Sequence, residues 1–173
     1  MEPNKQNDAI HQYLSFFLAG DKYAIGIVQV KEIIECPALT RVPGAPRSIR
    51  GVLNLRGSVV PVIDLAIAFG LVQTEITRRT CVIIVEIRLG GERAVIGVMA
   101  DAVDQVLELK AAEIQPPPAF GPKVRIDCIE GMADSNGKFV VLLNIDSVLS
   151  SSEILAAAEV ARPALLVEEV TVG

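Results

Sequence analysis

The sequence predicts a mainly β protein: two small five-stranded barrels side by side, meeting at an apolar seam, with short helices and a C-terminal helix. Three observations predict it. Val and Ile dominate the apolar residues, and both favour strands. The apolar runs are short and separated by turn-forming pairs such as Ala19-Gly20, Arg56-Gly57 and Gly90-Gly91. One stretch also repeats: sliding Gly51–Phe69 forward by 80 positions puts Gly51 on Gly131, Gly57 on Gly137 and Val60 on Val140 without a gap. Such a repeat means one supersecondary unit used twice. Each half then carries about five short strands, and closing them into a barrel removes the exposed edges of an open sheet.

The elements follow in order. Residues 1–10 form a polar start with no apolar stretch, expected to be a flexible tail rather than a secretory signal. Tyr13–Leu18 and Tyr23–Ile27 read as a hairpin about the turn at Ala19–Lys22. Val30, Ile33 and Ile34 have i, i+3, i+4 spacing, which predicts one or two helical turns ended by Pro37. Thr40–Pro46, rich in Pro and Gly, is an extended loop. Val52–Leu55 and Val59–Ile63 are strands around Arg56-Gly57, and Pro61, which cannot donate to a ladder, places its strand at an edge or a bulge. A short helix over Ala66–Phe69 and a polar linker over Gln73–Arg79 follow. The second half opens with a strand over Cys81–Ile87 and a return strand over Ala94–Val98. Its Ile96-Gly97-Val98 rhymes with Ile25-Gly26-Ile27. Pro116–Pro118 begins a stiff loop holding Phe120, and Phe139–Leu143 is another strand. The chain turns helical from Asp146, Ser150–Ser152 either interrupt that helix or cap a new one, and Glu153–Val160 reads as helix until Pro163 stops it, leaving Ala164–Gly173 as a short strand or a tail. The expected organisation is a tail at 1–10, a domain at 11–160 and a tail at 161–173. Within the domain, the expected subdomains are 11–79 and 80–145, followed by a C-terminal helix at 146–160.

Composition excludes several functions. With 51% hydrophobic and 21% charged residues, the 173-residue chain can bury a sizeable core. The net charge is −5, Lys and Arg are scattered, and Trp is absent, so there is no basic or base-stacking footprint for nucleic acid. The longest apolar stretch, Val59–Val72, is interrupted by Pro61 and Asp64 and is too short to span a bilayer, so a cytoplasmic protein is expected. Cys36, Cys81 and Cys128 are odd in number and far apart, which reads as free buried thiols rather than a metal site or disulfide. No nucleotide-binding glycine motif follows a strand, and no nucleophile elbow occurs. His11, the only histidine, reads as a surface residue. The carboxylate pairs Asp101/Asp104 and Glu32/Glu35 read as solvated faces, so no catalytic residue, cofactor or metal is expected.

The informative positions are a pair of charges and a set of apolar residues. Closing the first half would bring Glu32 and Arg56 together beside the seam; the alternative is two independent solvated charges. A surface pair contributes only about 0–1 kcal/mol, so its value would lie in fixing the shape of a docking surface.

The run Gly51–Leu65, GVLNLRGSVVPVIDL, resembles the core signature of CheW-type chemotaxis coupling proteins. Phe17-Leu18 with Tyr23-Ala24-Ile25 and Val30-Lys31-Glu32-Ile33 stand before it. Ile96-Gly97-Val98, Asp101–Leu107, Ile129-Glu130-Gly131 and Val141–Asp146 stand after it in the same order, so the resemblance spans about His11 to Leu155. It implies two SH3-like five-stranded barrels without enzymatic activity. The partners it implies are the cytoplasmic tip of a methyl-accepting chemoreceptor and the regulatory domain of the histidine kinase CheA, in arrays below the membrane. By residue match it implies a receptor-facing set of Val30, Glu32, Arg56, Val59, Gly97, Val103 and Val106, and kinase-facing Gly51 and Phe120. Val59, Val103 and Val106 suit a groove lining or a core equally. Gly97 and Gly51 suit close approach of a partner or a bend in the barrel. The alternatives in function are a coupling protein of a non-flagellar chemosensory-like pathway, such as twitching motility or surface sensing, or a small-barrel nucleic-acid-binding protein.

Overall fold

The computed structural model describes residues 9–89, 91–117 and 126–149. Its strands, in chain order, are β1 (Ile10–Leu18), β2 (Asp21–Gly26), β3 (Val30–Glu35), β4 (Ile49–Leu55), β5 (Ser58–Asp64), β6 (Cys81–Leu89), β7 (Glu92–Ala100), β8 (Ala102–Lys110), β9 (Ile129–Ser135) and β10 (Lys138–Leu143). One-turn helices α1 (Leu65–Ala68) and α2 (Ile145–Val148) follow β5 and β10. A terminal sheet has the order β8-β1-β2-β10-β9, and a central sheet has the order β3-β6-β7-β5-β4. The mainly β class with two five-stranded units is thus as expected.

The division at residue 79 is corrected. It follows the repeat but not the sheets. Each half supplies a hairpin and a three-strand unit, and the halves exchange hairpins: β1–β2 completes β8–β10, and β6–β7 completes β3–β5. The reason is the parallel pairing of β5 with β7 and of β10 with β2. Parallel neighbours need a crossover, whereas antiparallel ones need only a turn. Between β5 and β7, α1, the segment 69–80 and β6 supply that crossover.

Hydrogen bonding does not close either sheet into a barrel: β8 and β9 are the edges of one, β3 and β4 of the other. The edges are tied instead by one antiparallel bridge each. Thr40 and Val52 exchange bonds of 2.9 and 2.8 Å, and Gln115 and Met132 exchange two of 2.8 Å. Three apolar clusters result. Tyr13, Leu109 and Val140 fill the interior of the curled terminal sheet, and Leu53, Val62 and Met99 that of the central one. Between the sheets, Leu14, Phe16 and Ile25 pack with Ile63, Ile83 and Val98.

The helix expected at 30–35 is a strand, and a 3₁₀ turn at Ile27–Gln29 precedes it. The spacing misleads because β3 carries a bulge between Val30 and Glu32. An inserted residue shifts the alternation by one, so Val30 and Ile33 face the same way, as they would on a helix. Pro61 is in β5, which lies between β4 and β7 and is no edge. Opposite it, Val52 directs its own amide and carbonyl to Thr40, so the 52–61 pair exchanges no bonds. The β5–β7 ladder begins one residue later, at Val62, where the missing N–H costs nothing. The helix expected from Asp146 is described only as α2 and the turn at Leu149; the remainder, and Ala164–Gly173, lie outside the described residues.

The registers refine the repeat. Gly97 lies opposite Val62, and Ala24 opposite Leu142, so Gly97 corresponds to Ala24 rather than to Gly26. Carried across to the edge strands, Val30 corresponds to Val103, Glu32 to Gln105 and Ile33 to Val106. Even the bulge recurs: β8 has one beside Ser15, whose buried hydroxyl accepts a bond from the Gln105 amide at 3.2 Å.

Candidate functional site

Glu32 and Arg56 come from opposite edges of the central sheet, yet the curl brings them together. Arg56 Nη1 donates to Glu32 Oε1 at 2.9 Å and Nη2 to Oε2 at 3.1 Å. This two-pronged geometry matches the flat guanidinium to the flat carboxylate. The turn fixes the position of Arg56. Leu55 pairs with Ser58, leaving a two-residue loop in which Arg56 (φ 52°) and Gly57 (φ 88°) are both left-handed. Such a loop matches the right-handed twist of the strands, and Asn54 Oδ1 locks it by accepting from the Gly57 amide at 2.8 Å. The Arg56 side chain stays 77% exposed and that of Glu32 27%, so the pair is worth about 1 kcal/mol at most. It acts as a clasp across the mouth of the sheet and presents a fixed charge pair to solvent.

Beside it, Val59 at the start of β5 is half-buried. Val30 and Val103, at corresponding places on the two edge strands, are half-buried against the cluster between the sheets. Val106, further along β8, is 48% exposed. The two edge strands thus place matched valines on the margins of the inter-sheet core.

The glycines stand elsewhere. Gly97 is buried, and a Cβ there would lie 2.7 Å from Val82 Cγ1 and 3.2 Å from Val62 Cγ2. Glycine is required there by packing inside the sheet. Gly51 is buried too, with a Cβ position 2.5 Å from the Thr40 carbonyl oxygen, so glycine there allows the bridge that ties the sheet edges. Phe120 lies outside the described residues.

Sequence reasoning missed several exposed apolar residues, among them Val28 in the 3₁₀ turn, Ile33 on β3 and Phe139 on β10. The repeat held a signal for Ile33 and Phe139. Phe139 falls on Val59, and Ile33 corresponds to Val106.

The polar groups have structural partners. Asp64, fully buried, caps α1 by accepting from Ala66 N at 3.0 Å. It also accepts from the amide and hydroxyl of Thr74, both at 2.9 Å, and pairs with Arg50 at 2.8 Å. The bond from Lys22 to Asp104, at 2.9 Å, holds that carboxyl below its usual range. An open trough of about 520 Å³ runs along β1 and the 3₁₀ turn, with His11, Tyr13 and Glu130 in its walls. Burial first, then the Glu130 charge and the 3.0 Å bond from Tyr13 to Glu130, push the phenol up to about 12. The bond joins β1 to β9 across the terminal sheet. Among the described residues no group of three or more His, Cys, Asp or Glu is placed to hold a metal, and no helix is long and apolar enough to cross a membrane.

Residues 12–153 match the family model described as the CheW-like domain. The "Chemotaxis protein CheW" of Klebsiella aerogenes is 34% identical over 151 residues, which cover 87% of this chain and 89% of that protein. "Protein FrzA" of Myxococcus xanthus is 30% identical over 145 residues, 82% of this chain and 88% of that one. Among solved structures, the scaffolding protein TtCheW from Thermoanaerobacter tengcongensis superimposes with a TM-score of 0.73 at 27% identity, covering 88% of this chain and 96% of its own.

Proposed function

The chain belongs to the CheW-like family of chemosensory coupling proteins, and from that premise we propose that it is a cytoplasmic scaffold without catalysis of its own. It joins the tip of a methyl-accepting chemoreceptor to the regulatory domain of CheA. The receptor face is the margin formed by Val30, Glu32, Arg56, Val59, Val103 and Val106. Gly97 supports that face through its packing. Gly51, by tying the sheet edges, and Phe120 serve the kinase side. The observation that carries this reading is the Glu32–Arg56 clasp, held across the mouth of the central sheet. A helical receptor tip needs an apolar strip flanked by fixed polar groups, a common mode of helix recognition.

The test is Glu32→Lys. It replaces a clasp with two like charges, costs about 1 kcal/mol or less in stability, and is expected to weaken receptor binding about tenfold or more. Thermal unfolding and co-sedimentation with receptor arrays read the two effects separately. Full binding by a normally stable variant refutes the assignment of this face.

A further inference from the structure

At the end of the central sheet away from the clasp, β3, β5 and β7 finish and β4 and β6 begin. The two connections there, 36–48 and 69–80, carry an apolar and basic surface that the proposed receptor face does not use. Leu71, Val72 (85% exposed) and Ile76 leave large apolar side chains in solvent. Arg41, Arg47, Arg78 and Arg79 are exposed on the same connections, against the exposed carboxylates of Glu35 and Glu75. Arg50 and Asp64, also at this end, neutralise each other. A basic end therefore stands out on a chain of net charge −5. It is also held in place. The Thr74 amide and carbonyl are bonded to Asp64 and Arg50 at 2.9 Å each, and Thr80 O accepts from Cys36 N at 3.1 Å.

The chain carries its own complement to this surface. The family match ends at residue 153, and 154–173 continue beyond it. The last stretch, Ala164–Gly173, pairs apolar Leu165, Leu166 and Val167 with acidic Glu168 and Glu169. We propose that Ala164–Gly173 docks within its own chain on this end of the central sheet. Its leucines and valine cover Leu71, Val72 and Ile76, and its glutamates face the arginines. The reach suffices. α2 lies near the far end of β6, where Asp146 accepts from the Arg88 amide at 3.4 Å. A nine-residue strand such as β6 is about 30 Å long, whereas the residues between Leu149 and Ala164 can span up to about 50 Å when extended. This docking does not depend on the receptor assignment.

The test is amide hydrogen exchange across 71–79 in the full-length protein. The variants are E168K/E169K and the swap E168K/E169K/R78E/R79E, with thermal unfolding verifying that each stays folded. Docking is expected to slow exchange at 71–79 about fivefold or more relative to E168K/E169K, independently of protein concentration, and the swap is expected to recover most of it. Equal exchange in wild type and E168K/E169K overturns the proposal. A swap that recovers nothing overturns the role of the arginines. Protection that rises with protein concentration overturns docking within one chain and puts the segment on a neighbouring copy.

Discussion

Gly51→Ala tests whether the glycine of the signature run acts through the fold or through direct contact. The added methyl would sit 2.5 Å from Thr40 O and 3.0 Å from Thr40 C, both backbone atoms that no rotamer change can move aside. The residue also has φ 152°, where side chains other than glycine are strained. Holding that backbone costs about 1–3 kcal/mol. The alternative is to push Thr40 away, which opens the bridge and gives up its two bonds at about 0.5–1.5 kcal/mol each. By either route, with residual crowding, the loss is about 2–4 kcal/mol. For a chain of this size that lowers Tm by about 5–15 °C. The corresponding change in the terminal sheet is the control. At Gly131 the nearest atom, at 2.5 Å, is Ile114 Cγ2, a side-chain atom that can swing, and the backbone oxygen of Gln115 is 3.0 Å away. Gly131→Ala should therefore be the milder of the two. Differential scanning calorimetry measures both, and kinase binding by Gly51→Ala should recover when the temperature is lowered below its transition. The reasoning is refuted if Gly51→Ala melts within about 1 °C of wild type, or if it stays folded while kinase binding is abolished at every temperature.

Two further changes probe the polar interior. Asp64→Ala removes the acceptor that satisfies Arg50, Thr74 and the first turn of α1. It leaves a guanidinium with a side chain only 15% exposed, and should cost about 3–5 kcal/mol in urea unfolding; a loss under about 1 kcal/mol contradicts a buried pair. Tyr13 keeps its proton up to about pH 12 in the folded chain against 10.0 for a free phenol. The folded state therefore holds the proton more tightly than the unfolded one. The stability this contributes is complete below pH 10.0 and disappears as pH rises through about 12. Tyr13→Phe should flatten the fall in unfolding free energy across that window, and an identical slope in both proteins would sink the assignment.

What the sequence disclosed was local, and what it concealed was non-local. The turns at Ala19-Gly20 and Arg56-Gly57 were legible because two left-handed residues in a row have a recognisable signature ending in glycine. The repeat was legible because Gly51 and Gly131 meet equivalent crossing segments, Leu39–Thr40 in one sheet and Ile114–Gln115 in the other. The strand β3 was hidden by its own bulge, which gives strand residues a helical spacing. Exchange of hairpins between halves was invisible, since no local pattern says which of two similar three-strand units a hairpin will join. The Glu32–Arg56 meeting was foreseen from Glu32 on the wrong element. What brings β3 to the turn is not closure of the first half but the curl of the central sheet, in which β6 and β7 of the second half lie between them. Gly97 shows the opposite case: a glycine matched to a partner-facing position is explained by Val82 and Val62 inside the sheet.

The duplication also shows how one fold can carry two different surfaces. Where the central sheet has Glu32, Ile33, Arg56 and Val59, the terminal sheet has Gln105, Val106, Asn136 and Phe139 at corresponding places. The backbone is conserved between them, down to the turn: Asp134 accepts from the Gly137 amide at 2.9 Å as Asn54 does from Gly57. Only the side chains differ, and they differ in kind. One sheet presents an ion pair with a half-buried valine; the other presents amides with Phe139, 56% exposed. The same backbone positions thus carry charge in one sheet and an exposed aromatic in the other. Because each half of the chain has a hairpin in the other's sheet, neither sheet can be completed alone, and the two surfaces are held at a fixed separation. Proteins of this family are scaffolds, and a fixed separation of surfaces suits a scaffold.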